Sequence, residues 1–314
     1  MNRSILSTPE IRLRTRFAPA PTGYLHLGHL VNAIHVWGIA RARGGRIVLR
    51  IEDHDRGRSR PDFENALLDD LDWLGLAPDE GPTAEFRRGR ITLRQSDSGP
   101  RYDEAVELLR AAGLHLYGCD CSRTTMAREG GEQPDQELRY DGRCRTRGLA
   151  PGPGVGLRLQ IEEREESFTD LIFGPQRQTP SRQCGDLLLR DRLGNWTYQF
   201  AVVVDDMAQG ITHVIRGEDL LASTGRQILL ARLLGREAPA RFAHHRLIRH
   251  ASGEKLSKAN RDTAIRDLRE AGHSPEELLG RSAASAGIIA ASQPLSIAEL
   301  KDLFSAPLPY EDLG

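Results

Sequence analysis

The sequence predicts an α/β protein whose core is a doubly wound parallel sheet, with a module inserted into it and a short helical segment at its C-terminal end. Three observations carry this expectation. Short Ile/Val/Leu runs alternate with segments whose apolar residues recur at helical spacing. The runs end in Pro/Gly turns or charged clusters, where the strands of such sheets present ligand-binding groups. Between about 115 and 185 the alternation stops, and cysteines, glycines and prolines become dense.

The first unit is a strand from Ile11 to Phe17, a Pro/Gly turn, and a helix from Gly28 to about Arg43 with Leu30, Ala33, Ile34, Trp37 and Ala40 on one face. Arg46 to Ile51 reads as a buried parallel strand. Pro61 opens a helix carrying Phe63, Leu67, Leu68, Leu71 and Leu74, and Gly75 closes it. Arg101 to Ala112 is a further helix with Ala105, Leu108 and Leu109 inward. Pro151-Gly152-Pro153-Gly154 is a clear break. The sheet is expected to resume near Asp186, with a strand at Leu187–Arg190, a turn at Leu193-Gly194-Asn195 and a helix from Thr197 to Met207. A strand at Ile211–Ile215 and a helix from Leu220 to Leu234 follow. This is a Rossmann-like arrangement. Its expected division is 11–114 and 186–245 for the two halves of a nucleotide-binding catalytic domain, 115–185 for the insert, and 246–314 for a lysine-bearing loop and helical region.

The 314 residues suffice for two domains and a sizeable core. The formal net charge of −1 neither demands nor excludes a nucleic-acid partner, because a basic face can hide in a balanced total. No run is long and apolar enough to cross a membrane, and the N-terminus lacks the apolar core of a secretory signal. Four unevenly spaced cysteines do not make a disulfide framework. The expected setting is cytoplasmic and the expected state a monomer.

Two stretches stand out. His26 and His29 lie three apart where the first helix begins, with Gly28 between them. A helix N-terminus has unpaired N–H groups and partial positive charge, which suit a phosphate, and a glycine admits a ligand closely. Taken alone, two histidines read better as ordinary surface or core residues of a βα turn. Far downstream, Lys255 and Lys258 sit in the Gly/Ser-containing stretch Gly253-Glu254-Lys255-Leu256-Ser257-Lys258-Ala259-Asn260. The chain holds only three lysines, the other being Lys301. An ammonium on a flexible stem is a movable phosphate ligand that arginine does not simply replace.

Together the two stretches resemble the His-Ile-Gly-His and Lys-Met-Ser-Lys-Ser motifs of class I aminoacyl-tRNA synthetases, with Ala259 in place of the last serine. Arg16-Phe17-Ala18-Pro19-Ala20-Pro21-Thr22-Gly23, Arg50-Ile51-Glu52-Asp53, Tyr198-Gln199-Phe200-Ala201 and Val214-Ile215-Arg216-Gly217-Glu218-Asp219 narrow the resemblance to the glutamyl-tRNA synthetases, in that family's order from about Arg14 to Leu279. The resemblance implies joining of a glutamate carboxylate to the α-phosphate of ATP. The carboxylate is already ionised near neutrality, so the step needs positioning and charge stabilisation rather than a general base. It places His26, His29, Lys255 and Lys258 in catalysis, with His26, Gly28, His29 and Lys258 on ATP and Mg2+ bound with the nucleotide. It assigns Arg16 and Arg216 to the carboxylates and Glu52 to the ammonium. Tyr198 and the stretch Phe17, Ala18, Pro19 and Ala20 line the pocket. Which arginine meets which carboxylate is open.

Cys119-Asp120-Cys121 and Cys144 supply three thiolates, and a structural zinc site wants four ligands. His115 is a local fourth candidate. In zinc-bearing members of the glutamylating family the tyrosine of the same pattern is the fourth ligand. The resemblance therefore implies one structural Zn2+ on Cys119, Cys121, Tyr140 and Cys144, making the insert a zinc-binding module, while Cys184 reads as a plain buried cysteine. Arginines at 87, 88 and 90 and at 139, 143, 145 and 147 offer two patches that would track an RNA backbone.

Only about fifty residues follow the lysine stretch, where glutamyl-tRNA synthetases carry a large anticodon-binding domain. This length, with Val202-Val203-Val204-Asp205-Asp206, is similar to the glutamyl-queuosine tRNA(Asp) synthetase family. That resemblance implies tRNA-independent activation of L-glutamate with ATP and transfer to queuosine in the anticodon of tRNA(Asp). The competing readings are a truncated ordinary glutamyl- or glutaminyl-tRNA synthetase, a small-molecule ligase with similar His/Lys motifs, and a non-catalytic RNA-binding paralogue.

Overall fold

The computed structural model describes residues 12–122, 124–126, 139–248 and 263–313. Lys255 and Lys258, and Ile11 at the start of the first expected strand, lie outside the described residues. Strand β1 (Arg14–Phe17) runs parallel to β2 (Arg46–Leu49), with Arg14 opposite Arg46 and Phe17 opposite Leu49. Strands β3 (Leu116–Cys119) and β4 (Gly156–Leu159) follow in the chain. Strand β5 (Glu166–Asp170) forms an antiparallel hairpin with β6 (Gly174–Gln178). After β7 (Leu187–Arg190) come β8 (His213–Gly217) and β9 (Arg241–His245), a parallel pair.

The protein is α/β as expected, but its sheets are mixed rather than wholly parallel. A four-stranded sheet has the order β6-β5-β9-β8, and a three-stranded antiparallel sheet has the order β3-β4-β7. Strand β5 joins β9 in parallel at Asp170 and Phe242. Thus the β5–β6 hairpin, from the stretch 115–185, joins β9 through β5, while Leu187–Arg190 pairs with β4. The physical reason is that Leu-rich runs of four residues fit either pairing direction once both faces are covered. Thr212 joins β1 to β8: its N–H donates to Arg14 O at 2.9 Å, and its Oγ1 accepts from Arg14 N at 2.8 Å.

Helix α1 (Leu27–Ala42) is buried on almost every side from Leu30 to Ala40, not only on the expected face. Tertiary packing around it explains this. A Cβ on Gly38 would lie 2.2 Å from the Phe304 ring, so glycine is what lets the 3-10 helix Ile297–Phe304 close over α1. Helix α2 (Pro61–Leu74) starts at proline and ends at Gly75, whose φ of 71° is the left-handed conformation glycine adopts readily. It buries Leu67, Leu68, Leu71 and Leu74. The short α3 (Thr83–Arg88) is followed by α4 (Gly99–Ala111), which buries Ala105, Val106 and Leu109. Leu108 does not face inward; it is 59% exposed, because the buried stripe of α4 passes through Val106 instead. Helices α5 (Pro180–Gln183), α6 (Tyr198–Ala208), α7 (Thr224–Leu233), α8 (Ile265–Glu270) and α9 (Pro275–Ser285) follow in the chain. Among the described residues no helix is long and apolar enough to cross a membrane.

Candidate active site

A cavity of about 530 Å³ lies at the C-terminal ends of β1, β2 and β8. Its lining brings together Arg16, Phe17, Ala18, Pro19, Ala20, His26, Gly28, His29, Glu52, Tyr198 and Arg216, residues that span two hundred positions of sequence. Every expected pocket residue inside the described regions therefore falls on one wall system.

The histidines cap α1. His26 precedes the helix in extended conformation, and its Nδ1 accepts from Gly28 N at 3.1 Å. His29 reaches back so that its Nδ1 accepts from His26 N at 3.1 Å. This reciprocal arrangement follows the logic of a capping box, with imidazoles in place of the usual Ser/Thr and Glu. Because both Nδ1 atoms accept, the proton of each neutral ring sits on Nε2, which makes Nε2–H the donor. The ring centroids are 4.0 Å apart. Helix terminus and two imidazole N–H groups thus concentrate positive potential at one corner.

Two further segments meet at this corner. Leu247, just after β9, lines the cavity. Ala264 bridges His26, and Ile265 N donates to Leu25 O at 2.8 Å.

Arg16 and Arg216 are both 4% exposed, but their partners differ. Arg16 Nε donates to Asp206 Oδ1 at 3.1 Å. The same oxygen accepts from Arg50 Nη1 at 2.7 Å, and Arg50 Nη2 lies 3.2 Å from Glu52 Oε1. Burial works against ionisation of Asp206, yet the two guanidinium groups overcome it and hold its pKa below the usual carboxylate range. Glu52 is 6% exposed and sits just past β2, its N–H on Pro19 O.

Arg216 has only neutral partners among the described residues. Its Nε donates to His244 Nε2 at 2.9 Å, Nη1 to Gln227 Oε1 at 2.7 Å and Nη2 to Thr224 Oγ1 at 2.9 Å. Burial lowers its pKa, though not enough to neutralise an arginine. Tyr198 opens α6, and burial with the nearby Glu52 charge raises its pKa. A buried cation held by neutral acceptors retains its charge for an incoming anion.

Asp206, Arg50, His244 and Asp170 were not singled out as site residues from sequence. One signal was present: Asp205 and Asp206 end the apolar run Val202–Val204, and a carboxylate on a buried helix needs a partner. Asp205 finds Gln95, Arg101 and Tyr102.

In the region beyond β3, Cys119, Cys121 and Cys144 place their sulfurs within 4.8 Å of one another. Tyr140 Oη is 3.5 Å from Cys119 Sγ. His115 stands outside the cluster and bonds Gln160 Oε1 at 2.8 Å. Arg158 Nε donates to Cys119 Sγ at 3.3 Å while its guanidinium stacks 3.7 Å above the Tyr140 ring, and Arg147 Nη1 donates to Cys144 Sγ at 3.2 Å. Burial acts to raise the Cys119 pKa, but the Tyr140 and Arg158 bonds bring it below the ordinary value. Cys121 is pushed up to about 12 by burial and the adjoining thiols. Three convergent sulfurs with cationic donors behind them fit a thiophilic metal. Cys184 is buried outside this cluster.

Much of the expected RNA-tracking charge is already paired. Arg87 binds Asp69 and Asp72, Arg90 binds Asp97, Arg143 binds Asp141, Arg145 binds Asp186 and Arg147 binds Asp120.

Buried guanidinium groups and a histidine-capped helix N-terminus at the strand ends are donors of the kind that suit anionic ligands. Comparison with known proteins agrees. Residues 12–290 match the family described as tRNA synthetases class I (E and Q), catalytic domain. A Glutamyl-Q tRNA(Asp) synthetase of Symbiobacterium thermophilum is 41% identical over 307 residues, covering 94% of this chain and 94% of that protein. A Glutamate–tRNA ligase of Frankia casuarinae is 39% identical over 84% of this chain but only 54% of its own length. A crystal structure of the glutamate-tRNA synthetase from Elizabethkingia anophelis superposes with a TM-score of 0.73 at 27% identity, covering 95% of this chain and 68% of that one. The chain belongs to the class I aminoacyl-tRNA synthetases, in the E and Q catalytic-domain family, and is a ligase of that type.

Proposed function

We propose that this enzyme activates L-glutamate with ATP without needing tRNA, and then transfers the glutamyl group to queuosine in the anticodon of tRNA(Asp). The observation that carries the reading is Arg216, a buried cation with neutral partners, in one cavity with Glu52 and the histidine-capped helix terminus. The name of the Symbiobacterium relative, matched over 94% of each chain, supports the second step.

In the first step a glutamate carboxylate oxygen attacks the α-phosphorus and pyrophosphate leaves. Arg216 and Arg16 hold the two carboxylates, Glu52 takes the ammonium, and Tyr198 closes the pocket wall. His26 and His29 donate through Nε2–H to phosphate oxygens at the α1 terminus, beside Gly28. Each well-aimed donor is worth about 2.7–4 kcal/mol of barrier in a dry site. Lys258 and, secondarily, Lys255 contribute phosphate contacts. Mg2+ accompanies ATP and neutralises phosphate charge. In the second step a queuosine hydroxyl attacks the acyl carbon and AMP leaves. Cys119, Cys121, Cys144 and Tyr140 would hold one structural Zn2+ that staples the lobe beyond β3. The working state is a cytoplasmic monomer.

Glutamate-dependent ATP–pyrophosphate exchange tests the reading. Exchange without tRNA, followed by labelling of queuosine-containing tRNA(Asp) only, is the expected result. Exchange that requires tRNA(Glu) would favour ordinary glutamyl-tRNA synthesis, the activity named for the Frankia relative. No exchange at all would sink both.

A further inference from the structure

We propose that Asp170 and His244 are positioning residues that orient Arg216 for a substrate carboxylate while leaving its charge intact; this rests on Arg216 being a glutamate ligand. The three residues form a buried line. Asp170 and His244 have fully buried side chains, and Arg216 is 4% exposed at the cavity wall. His244 Nδ1 lies 2.6 Å from Asp170 Oδ2, and its Nε2 lies 2.9 Å from Arg216 Nε.

The proton positions follow from donor logic. Arg216 Nε–H can only donate, so His244 Nε2 must accept. The single proton of the neutral ring is therefore on Nδ1, and Asp170 Oδ2 accepts it. Asp170 cannot turn away easily, because Oδ1 also accepts from Ile172 N at 3.0 Å and Phe173 N at 2.9 Å. Burial pushes the His244 pKa down to about 4, in keeping with a neutral ring. The opposite edge of the guanidinium is fixed in the same manner. Gln227 Oε1 accepts from Nη1, and Gln227 Nε2 in turn donates to Gln199 Oε1 at 2.7 Å.

The advantage lies in where the acid sits. A carboxylate directly on Arg216 would hold it but cancel its charge, as Asp206 does in part for Arg16. Moving the acid one residue back, behind a neutral imidazole, keeps the orientation and spares the cation for the ligand. A bidentate carboxylate contact needs that fixed plane. The line also joins three strands, β5, β9 and β8, of one sheet.

The test uses the full chain with Asp170→Asn, His244→Gln, His244→Phe and Arg216→Lys. Readouts are the KM for glutamate and for ATP in exchange, L-glutamate affinity by calorimetry, and thermal unfolding. In Asp170→Asn the amide NH2 faces Nδ1, which forces the other tautomer and sets two donors against each other at Arg216. Glutamate KM and Kd should rise at least about tenfold, with ATP KM changed less than about twofold. His244→Phe should do the same, and His244→Gln, which restores an acceptor, should recover much of the loss. Folded Asp170→Asn and His244→Phe proteins with ordinary glutamate affinity would overturn the proposal. Equal losses for glutamate and ATP would also overturn it, by showing a merely structural role. Should Asp170→Asn fail to fold, the His244 pair decides. Arg216→Lys separates the two levels: if it too leaves glutamate affinity unchanged, the assignment of Arg216 fails; if it alone raises Kd, only the positioning line fails.

Discussion

Arg16 and Arg216 reach one cavity from adjacent strands, yet only Arg16 brings a counter-ion. Arg16 Nε bonds Asp206 Oδ1 and its Nη1 meets Ile215 O at 3.3 Å, next to Arg216, whose own partners are all neutral among the described residues. Substitutions should separate the two. Arg216→Ala is expected to cut glutamate-dependent exchange, as kcat/KM, at least about a hundredfold, roughly 2.7 kcal/mol, while the urea midpoint stays level or rises. Asp206→Ala leaves two buried guanidinium groups short of a partner and should cost about 3–5 kcal/mol of stability. Urea unfolding of both variants beside the exchange rates checks this; equal midpoint losses would refute it.

The histidine cap ties activity to helix stability. His29→Ala removes the acceptor of His26 N and should cost about 1 kcal/mol. His29→Asn offers an oxygen to the same N–H and should fold nearly as well. Both should slow exchange by roughly a hundredfold, since neither presents the imidazole donor. An Asn variant with normal exchange would remove His29 from the chemistry.

Acid should destabilise the protein through its buried histidines. Burial lowers the pKa of His35 to about 3, and of His213 and His244 to about 4. All three are neutral in both states above about 6.5. Below that the unfolded chain takes up protons that the folded one refuses, so stability falls as pH drops from 6.5 towards 4, by up to about 1.4 kcal/mol per pH unit for each histidine. Asp70 acts in the opposite sense. Both its carboxylate oxygens lack a hydrogen-bond partner among the described residues, and burial raises its pKa to about 7. Its folded form binds the proton first, so lowering pH below 7 favours the fold. Asp70→Asn should therefore be more stable than the parent at pH 8 and lose stability more steeply on acidification. Denaturant midpoints at pH 8, 6.5 and 5 measure both slopes.

Metal removal should act on one lobe. Purified protein is expected to hold one zinc by elemental analysis. Chelation should raise amide exchange around Cys119 and Tyr140–Cys144 while glutamate activation survives. Cys121→Ser should lose the metal outright. Zinc content near zero in the freshly purified parent would remove the site.

Local pattern made most elements readable: Pro61 and Gly75 bracket α2, and the leucines of α2 lie inward, because caps and helical spacing are encoded within a few residues. What depends on the rest of the fold was not. Leu108 sits at core spacing yet faces solvent, and α1 is covered on faces that its sequence does not distinguish. Pairing direction was hidden because Leu187–Leu189 suits an antiparallel partner as well as a parallel one. The cavity residues quoted from local motifs converge, whereas the residues behind them did not announce themselves. Asp170 and His244 are 74 positions apart, with no motif joining them.

The register of β3 and β4 has a consequence for how the chain is wired. Cys119, the last residue of β3, is the cross-strand partner of Gly156, the first of β4. Partners in an antiparallel pair stand only about 5 Å apart. The whole stretch 120–155 thus leaves and re-enters through one narrow neck, as the loop of an oversized hairpin. An Asn-Gly turn would span that gap. The cysteine lobe is a detachable appendage in the topological sense: excising it costs contacts such as those at Ser181, Cys184, Asp186, Arg158 and Arg192 but severs no strand, so the rest of the chain can lose it or exchange it without being rethreaded.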